Sequence, residues 1–168
     1  SQRHPDFSSI YALGVSVHLE QPEPTPISIG FPKSGQMTEA MGVAAAHNIA
    51  IELGAIKSPL TSPTLEALCF AEFVNTGVAY IAAPVLPDPA TGKRRYFYAV
   101  RGRWVNWVKA AFEKYFMFKM RWGLGMPWFE KLGLRFLFGL SMFKSLGADA
   151  EKQLARAITR KNQEVIKS

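Results

Sequence analysis

Aromatic side chains and positive charge are concentrated in the second half of this chain of 168 residues. Of the 21 Phe, Tyr and Trp residues, 15 lie between Tyr96 and Phe143. Residues 1–92 carry 3 basic and 8 acidic side chains, a net charge of −5, whereas residues 93–168 carry 17 and 5, a net charge of +12. A basic, aromatic half predicts contact with an anionic surface, either a membrane or a nucleic acid.

The pattern of the second half is helical, with helices predicted over 103–122, 127–143 and 148–166. On the first helix, large apolar residues fill about half of the circumference and are interrupted by Lys119. The longest apolar run, Phe136–Phe143, covers 8 residues, whereas a helix that crosses a bilayer needs about 20. Aromatic residues flanked by Lys and Arg are typical of a helix that lies in the membrane interface. The predicted membrane contacts are Trp104, Trp107, Phe112, Phe116, Phe136 and Phe138.

Two other partners compete with the membrane for this basic, aromatic region. Nucleic acid is disfavoured because residues 132–143 carry a continuous aliphatic surface with little charge to follow a phosphate backbone. Ordinary core packing or contact with a second copy of the chain stays open, so a homo-oligomer is a further possibility.

The first half reads as a small sheet with one helix. Ile10–Val15 predicts a short buried strand that ends in a glycine turn, and Ser34 is a reasonable N-cap for a helix over 36–53. Strands are predicted over 65–73, 77–85 and 96–100. The fold class is therefore α+β. We divide the chain into a sheet-and-helix region over 1–100, amphipathic helices over 101–146 and a surface helix over 147–168.

Cysteine and histidine usage limits the chemistry of the chain. Cys69 is the single cysteine, which excludes a disulfide within the chain and any Cys-x-x-Cys motif. The three histidines, His4, His18 and His47, are far apart in the sequence, so no metal site is expected. We expect Cys69 to be a small apolar residue in a buried strand.

Six segments in order resemble one family. They are Ile10–Ser16 (IYALGVS), Gly30–Met37 (GFPKSGQM), Ala46–Ala50 (AHNIA), Ala67–Phe73 (ALCFAEF), Arg103–Lys109 (RWVNWVK) and Ala111–Phe116 (AFEKYF). Over residues 10–140 the chain resembles the C-terminal part of sulfide:quinone oxidoreductases, which are FAD-dependent members of the pyridine nucleotide–disulfide oxidoreductase superfamily. The resemblance implies a parent enzyme that passes electrons from a donor, sulfide in the family, through FAD to a membrane quinone.

The resemblance also implies roles for particular residues. Gly14 and Val15 would lie against the FAD phosphates and ribityl chain. The turn of Lys33, Ser34 and Gly35, with Gln36, would place a helix N-terminus at the flavin ring, where the N–H groups favour negative charge. Lys33 would add positive charge there or lie near the quinone, and a solvated turn lysine is the alternative. The quinone wall would contain Phe73, Tyr80 and Phe97, for which sheet core is the alternative.

Two departures from the family limit these roles. Ser16 stands where we align a redox cysteine of the family, and a serine cannot form a thiolate or a persulfide at neutral pH. No Gly-x-Gly-x-x-Gly motif occurs, so most FAD contacts would come from an N-terminal dinucleotide-binding part of the same protein. We therefore expect the isolated chain to be inactive and to hold no stable FAD. The expected location is the membrane surface, on a reducing or cytoplasmic side. The alternative function is a noncatalytic domain for oligomerisation or membrane docking.

Overall fold

The structure is a computed structural model that describes residues 2–4, 6–7, 9–17, 34–87, 91–147 and 152. The expectations for Lys33 and for a helix over 148–166 fall outside the described residues, Lys152 excepted. Within the described ranges the chain forms three helices, two small antiparallel sheets and a 3₁₀ turn at Gly14–Ser16. The predicted α+β class is confirmed.

Helix α1 spans Gly35–Glu52 and begins close to the predicted position. The Ser34 hydroxyl oxygen accepts a hydrogen bond from the Met37 N–H at 3.2 Å, which satisfies one of the unpaired donors of the first turn. The buried side chains of α1 are mostly small, so the helix packs close against its neighbours. They are Gln36, Met37, Ala40, Met41, Ala44 and Ala45.

The central sheet has three antiparallel strands in the order β2–β3–β4. After the short strand β1 (Thr61–Pro63), β2 spans Ala67–Phe73, β3 spans Thr76–Ala83 and β4 spans Tyr96–Gly102. Because side chains alternate along a strand, the sheet has two faces of different character. Leu68 and Ile81 point to one, which we call the core face, and Cys69 and Tyr80 point to the other, which we call the cavity face.

Helices α2 and α3 follow the sheet. Helix α2 spans Trp104–Arg121 and packs on the core face, where the rings of Phe70 and Phe112 lie 5.9 Å apart. Helix α3 spans Trp128–Phe138 and ends at Gly139, which adopts the left-handed conformation with φ of 62°. Strand β5 (Phe143–Ser145) then pairs antiparallel with β1. The main core joins α1, the strands β2 and β3, and the chain from the end of α2 to β5. Its buried residues are Ala40, Leu68, Ile81, Ala83, Met126, Leu134, Leu140 and Met142.

The structure departs from the expected elements in two places. The strand predicted over 10–15 is reduced to one bridge between Arg3 and Tyr11, followed by the 3₁₀ turn, because no longer strand lies beside it in the described chain. The helix predicted over 127–143 stops at Phe138, since the left-handed Gly139 ends it and the chain continues into β5.

Candidate functional site

The turn at Gly14 lies directly against α1. Gly14 is buried with φ of 59°, and a Cβ atom at this position would lie 2.7 Å from the hydroxyl oxygen of Thr38. The close approach that requires a glycine is therefore made to α1 itself. The next residue, Val15, is 84% exposed. The structure thus places the Gly14–Val15 turn beside the first turns of α1, with Val15 open to a further group.

Ser16 is exposed on the same turn. Its hydroxyl donates a hydrogen bond to the backbone carbonyl of Leu13 at 2.6 Å. This contact closes the 3₁₀ turn locally, and Ser16 is not among the residues that line the cavity described next.

A cavity of about 270 Å³ lies between the first turn of α1 and the cavity face of the sheet. Tyr80 and Phe97 lie on neighbouring strands with ring centroids 6.5 Å apart, and both line it. Phe73 lies at the end of β2 and is 57% exposed, so the structure does not bring it to the other two proposed quinone contacts. The lining residues are Ser34, Met37, Ala67, Cys69, Tyr80, Ala82, Val85, Arg94 and Phe97.

Cys69 lines this cavity beside the N-terminus of α1 and is half-buried. A hydrogen bond with Cys69, together with burial, raises the pKa of Tyr80 to about 12. Cys69 also packs against the small apolar cluster of Met37 and Ala67, which agrees with the small apolar residue that we expected. The alternation of side chains along β2 indicates the face on which Cys69 lies. Leu68 and Phe70 face the core, so Cys69 must face the other way.

Gln36 places a polar group inside the first turn of α1. It is 6% exposed, its Nε2 lies 3.2 Å from the sulfur of Met142, and its Oε1 has no hydrogen-bond partner among the described residues. Gly35 precedes it, and a Cβ atom on Gly35 would contact the Phe116 ring at 3.4 Å. The N–H groups of this helix N-terminus and the unpartnered acceptor are compatible with the polar edge of a flavin, the group expected at this end of α1.

An ion cluster around the buried Lys119 joins the three helices. The Lys119 side chain of α2 is 1% exposed, and its Nζ lies 2.8 Å from a carboxylate oxygen of Glu39 on α1 and 2.8 Å from one of Glu130 on α3. The Tyr115 hydroxyl donates to Glu130 at 2.8 Å, and burial and this carboxylate raise the pKa of Tyr115. Lys119, which interrupts the apolar pattern of α2, is thus a buried structural cation.

Large apolar side chains on α2 and α3 remain exposed. Among the predicted membrane contacts, Trp104, Trp107 and Phe136 are 51%, 80% and 78% exposed. Phe112 and Phe116 instead stack on each other at 6.2 Å, and Phe138 packs against the core, so these three differ from the prediction. We call the exposed set the α2–α3 apolar surface; it consists of Trp104, Trp107, Val108, Phe118, Trp122, Leu124, Trp128, Phe129, Leu132, Phe136 and Leu137.

In the described part of the chain, every helix is too short or too polar to span a membrane. No group of three or more His, Cys, Asp and Glu residues in these ranges could hold a metal ion.

Comparison with known proteins gives consistent matches. The crystal structure of the sulfide:quinone oxidoreductase from the hyperthermophilic bacterium Aquifex aeolicus superposes with a TM-score of 0.78 at 32% sequence identity, and the match covers 86% of this chain and 32% of that one. The fold is therefore that of one part of a sulfide:quinone oxidoreductase. In sequence, the chain is 36% identical over 129 residues to the sulfide-quinone reductase of Aquifex aeolicus (strain VF5).

That sequence match covers 77% of this chain and 29% of the relative, so the chain spans about a third of the length of the proteins it matches. No family model matches. The chain is a homologue of sulfide-quinone reductase, as its resemblance to the C-terminal part of that family predicted.

Proposed function

We propose that the chain supplies the C-terminal part of an FAD-dependent quinone reductase of the sulfide:quinone oxidoreductase type. Electrons pass from sulfide through FAD to a membrane quinone. Homology supports the class of enzyme. The assignment of roles rests on one observation. The cavity that contains Cys69 lies on one face of the sheet at the start of α1, whereas the helices that carry the α2–α3 apolar surface pack on the other face.

The flavin belongs at the N-terminus of α1. Bound there, FAD would supply the two-electron redox chemistry that links the donor to the quinone. The backbone N–H groups of the first turn favour the negative charge that develops on the reduced ring, and the Gly14–Val15 turn lies beside them. Lys33 directly precedes the Ser34 cap and is proposed to add positive charge. Most FAD contacts come from a dinucleotide-binding part outside this chain, so the isolated chain is expected to hold no stable FAD.

Cys69, rather than Ser16, is proposed to be the thiol of the sulfur chemistry. It lines the cavity beside the proposed flavin position, whereas Ser16 is exposed and closes a turn. The Tyr80 hydroxyl is the hydrogen-bonding neighbour of Cys69 in this cavity and can orient its sulfur. This assignment removes the conflict that Ser16 created, because a thiol is present where the donor would meet the flavin.

The quinone is proposed to approach from the side of α2 and α3. The sheet lies between the cavity and these helices, so a lipid-borne substrate would reach α1 where Phe116 contacts Gly35. In this proposal Tyr80 and Phe97 line the cavity of Cys69 and not the path of the quinone. Phe73 contacts neither.

The α2–α3 apolar surface is proposed to rest in one membrane leaflet. Its exposed indoles suit the depth of the lipid headgroups, and the Lys and Arg residues beside them can reach lipid phosphates. The protein would be peripheral to the membrane. The second candidate function is noncatalytic self-association through the same exposed surface. A dimer that persists in mild detergent and ignores vesicles in light scattering would favour it.

Substitution of the thiol in the full-length protein that carries this chain tests the proposal. Cys69→Ser should abolish bleaching of the FAD absorbance by sulfide in stopped-flow measurements, while the flavin stays bound and quinol still reduces it from the quinone side. Ser16→Ala is the matched control and should behave as the wild type. Bleaching by sulfide that persists in Cys69→Ser and is lost in Ser16→Ala would overturn the assignment.

A further inference from the structure

An open groove of about 550 Å³ separates the turn between β2 and β3 from the first turn of α2. It is lined by Val74, Asn75, Arg103, Trp104, Asn106 and Trp107. Among the described residues the lining combines one guanidinium, two amides and two indoles, and none of them is a carboxylate. The nearby carboxylate of Glu72 is paired with Lys109 at 2.8 Å. The groove is therefore complementary to an anion that carries hydrogen-bonding groups.

The rim of the groove is apolar and exposed. Val74 is 96% exposed and has φ of 30°, a conformation that a β-branched residue rarely adopts. Trp107 is 80% exposed on the opposite rim. These side chains continue the α2–α3 apolar surface around Arg103, which is itself exposed and has no ion-pair partner among the described residues.

The base of the groove lies where Asn106 of α2 packs against Gly77 of β3. The Asn106 Oδ1 atom is buried and has no hydrogen-bond partner in the described chain. A Cβ atom on Gly77 would lie 2.4 Å from this oxygen, so only a glycine on β3 lets the start of α2 approach so closely. The close packing brings an amide and a guanidinium into one recess below two indoles.

We propose that this groove binds the headgroup of a glycerophospholipid. Arg103 binds the phosphate diester, the amide N–H groups of Asn75 and Asn106 donate to its oxygens, and Trp104 and Trp107 lie among the neighbouring lipids. Charge complementarity and continuity with the α2–α3 apolar surface select this occupant. The inference rests on the proposed membrane contact and deepens it, because it turns a general surface into one that holds a particular lipid group.

The test uses the complete chain and vesicles without net charge, composed of phosphatidylcholine and phosphatidylethanolamine, so that diffuse attraction to anionic lipid is absent. Arg103→Gln should weaken binding in co-sedimentation by about 10-fold to 100-fold, the range expected for loss of one charge-assisted contact. Arg121→Gln, which removes an exposed arginine from the other end of α2, should change binding less than about 2-fold. Equal losses in the two variants would overturn the site.

Two further arms separate the possible failures. Phe136→Asp on α3 reports on the membrane contact alone and should abolish vesicle binding. If it does so while Arg103→Gln binds as the wild type does, the membrane contact stands and the headgroup site falls. If the wild type ignores vesicles altogether, the membrane contact falls first. Binding of inorganic phosphate that depends on Arg103 in the absence of any vesicle binding would identify a site for free phosphate and would also overturn the proposal.

Discussion

Helices α1 and α2 have the same length, 18 residues each, and opposite relations to solvent. Helix α1 buries six residues, most of them small. Helix α2 buries only Val105 and Lys119 while indoles and Phe118 stay exposed. A helix that exposes large apolar side chains and buries one of its three lysines is suited to an environment other than water on its outer side.

The buried lysine is the physical link between these two helices. Its ammonium group is shared by a carboxylate from α1 and one from α3, so it holds the exposed helices against the buried one. The aromatic side chains of α2 therefore fall into an inward-packed group and an exposed group. Phe112 and Phe116 pack inward with Lys119, whereas Trp107 and Phe118 face outward.

Removal of the buried ammonium should have the largest effect on this arrangement. Lys119→Met leaves Glu39 and Glu130 buried without a cation and should lower the free energy of unfolding by about 3–5 kcal/mol in urea titrations followed by circular dichroism. Lys114→Met, at an exposed position of the same helix, is the control and should stay within about 0.5 kcal/mol. If Lys119→Met does not fold, Lys119→Arg should show a smaller loss. Wild-type stability in both Lys119 variants would contradict the link.

Loss of one outward indole should have an intermediate effect on membrane contact. Trp107→Ser removes a side chain that is 80% exposed and should weaken vesicle binding about 10-fold or more, since burial of such a side chain is worth about 1.5–3 kcal/mol. Leu53→Ser provides the matched change at the end of α1, where the leucine is 78% exposed. Equal losses in the two variants would show that exposure alone, rather than position on α2, controls binding.

The smallest effect concerns a carboxylate at the edge of the sheet. Burial raises the pKa of Glu66, against the opposing influence of the Ser141 N–H and of Arg95 at 2.9 Å. A raised pKa means that the fold favours the neutral carboxyl, so this contribution to stability is present at low pH. It is lost as the pH rises from about 4.5, the ordinary value, through the raised pKa.

Glu66→Gln checks this sign. The unfolding free energy of the wild type relative to the variant should fall as the pH rises through that window in thermal or urea titrations. A wild type that gains stability over the variant as the pH rises would show that the Arg95 contact outweighs burial.

Local signals predicted most of the fold. The Ser34 cap and the two runs predicted as strands over 65–73 and 77–85 each act over a few residues, and the structure contains the helix and the hairpin that they predict. The end of α3 depended on the conformation of Gly139, and a glycine within an apolar helical pattern is compatible with either continuation or termination.

The candidate site was harder to predict because its residues meet through pairing and packing. The alternation of β2 indicates that Cys69 faces away from Leu68, but its place beside Tyr80 and the start of α1 follows from the register of β2 with β3 and from the packing of α1. The role of Lys119 required Glu39, which is 80 positions away in the chain. No periodic pattern encodes such a distance.

The two faces of the sheet have a further consequence for the proposed chemistry. Sulfide is small and water-borne, whereas a quinone is a lipid-borne oxidant with which it could react directly. In the proposed arrangement the strands β2, β3 and β4 stand between the cavity and the lipid side, and only the end of α1 is shared by both. In this arrangement the sheet would keep sulfide and quinone apart. Electrons would then pass from one to the other through the flavin, and the two substrates would not react directly.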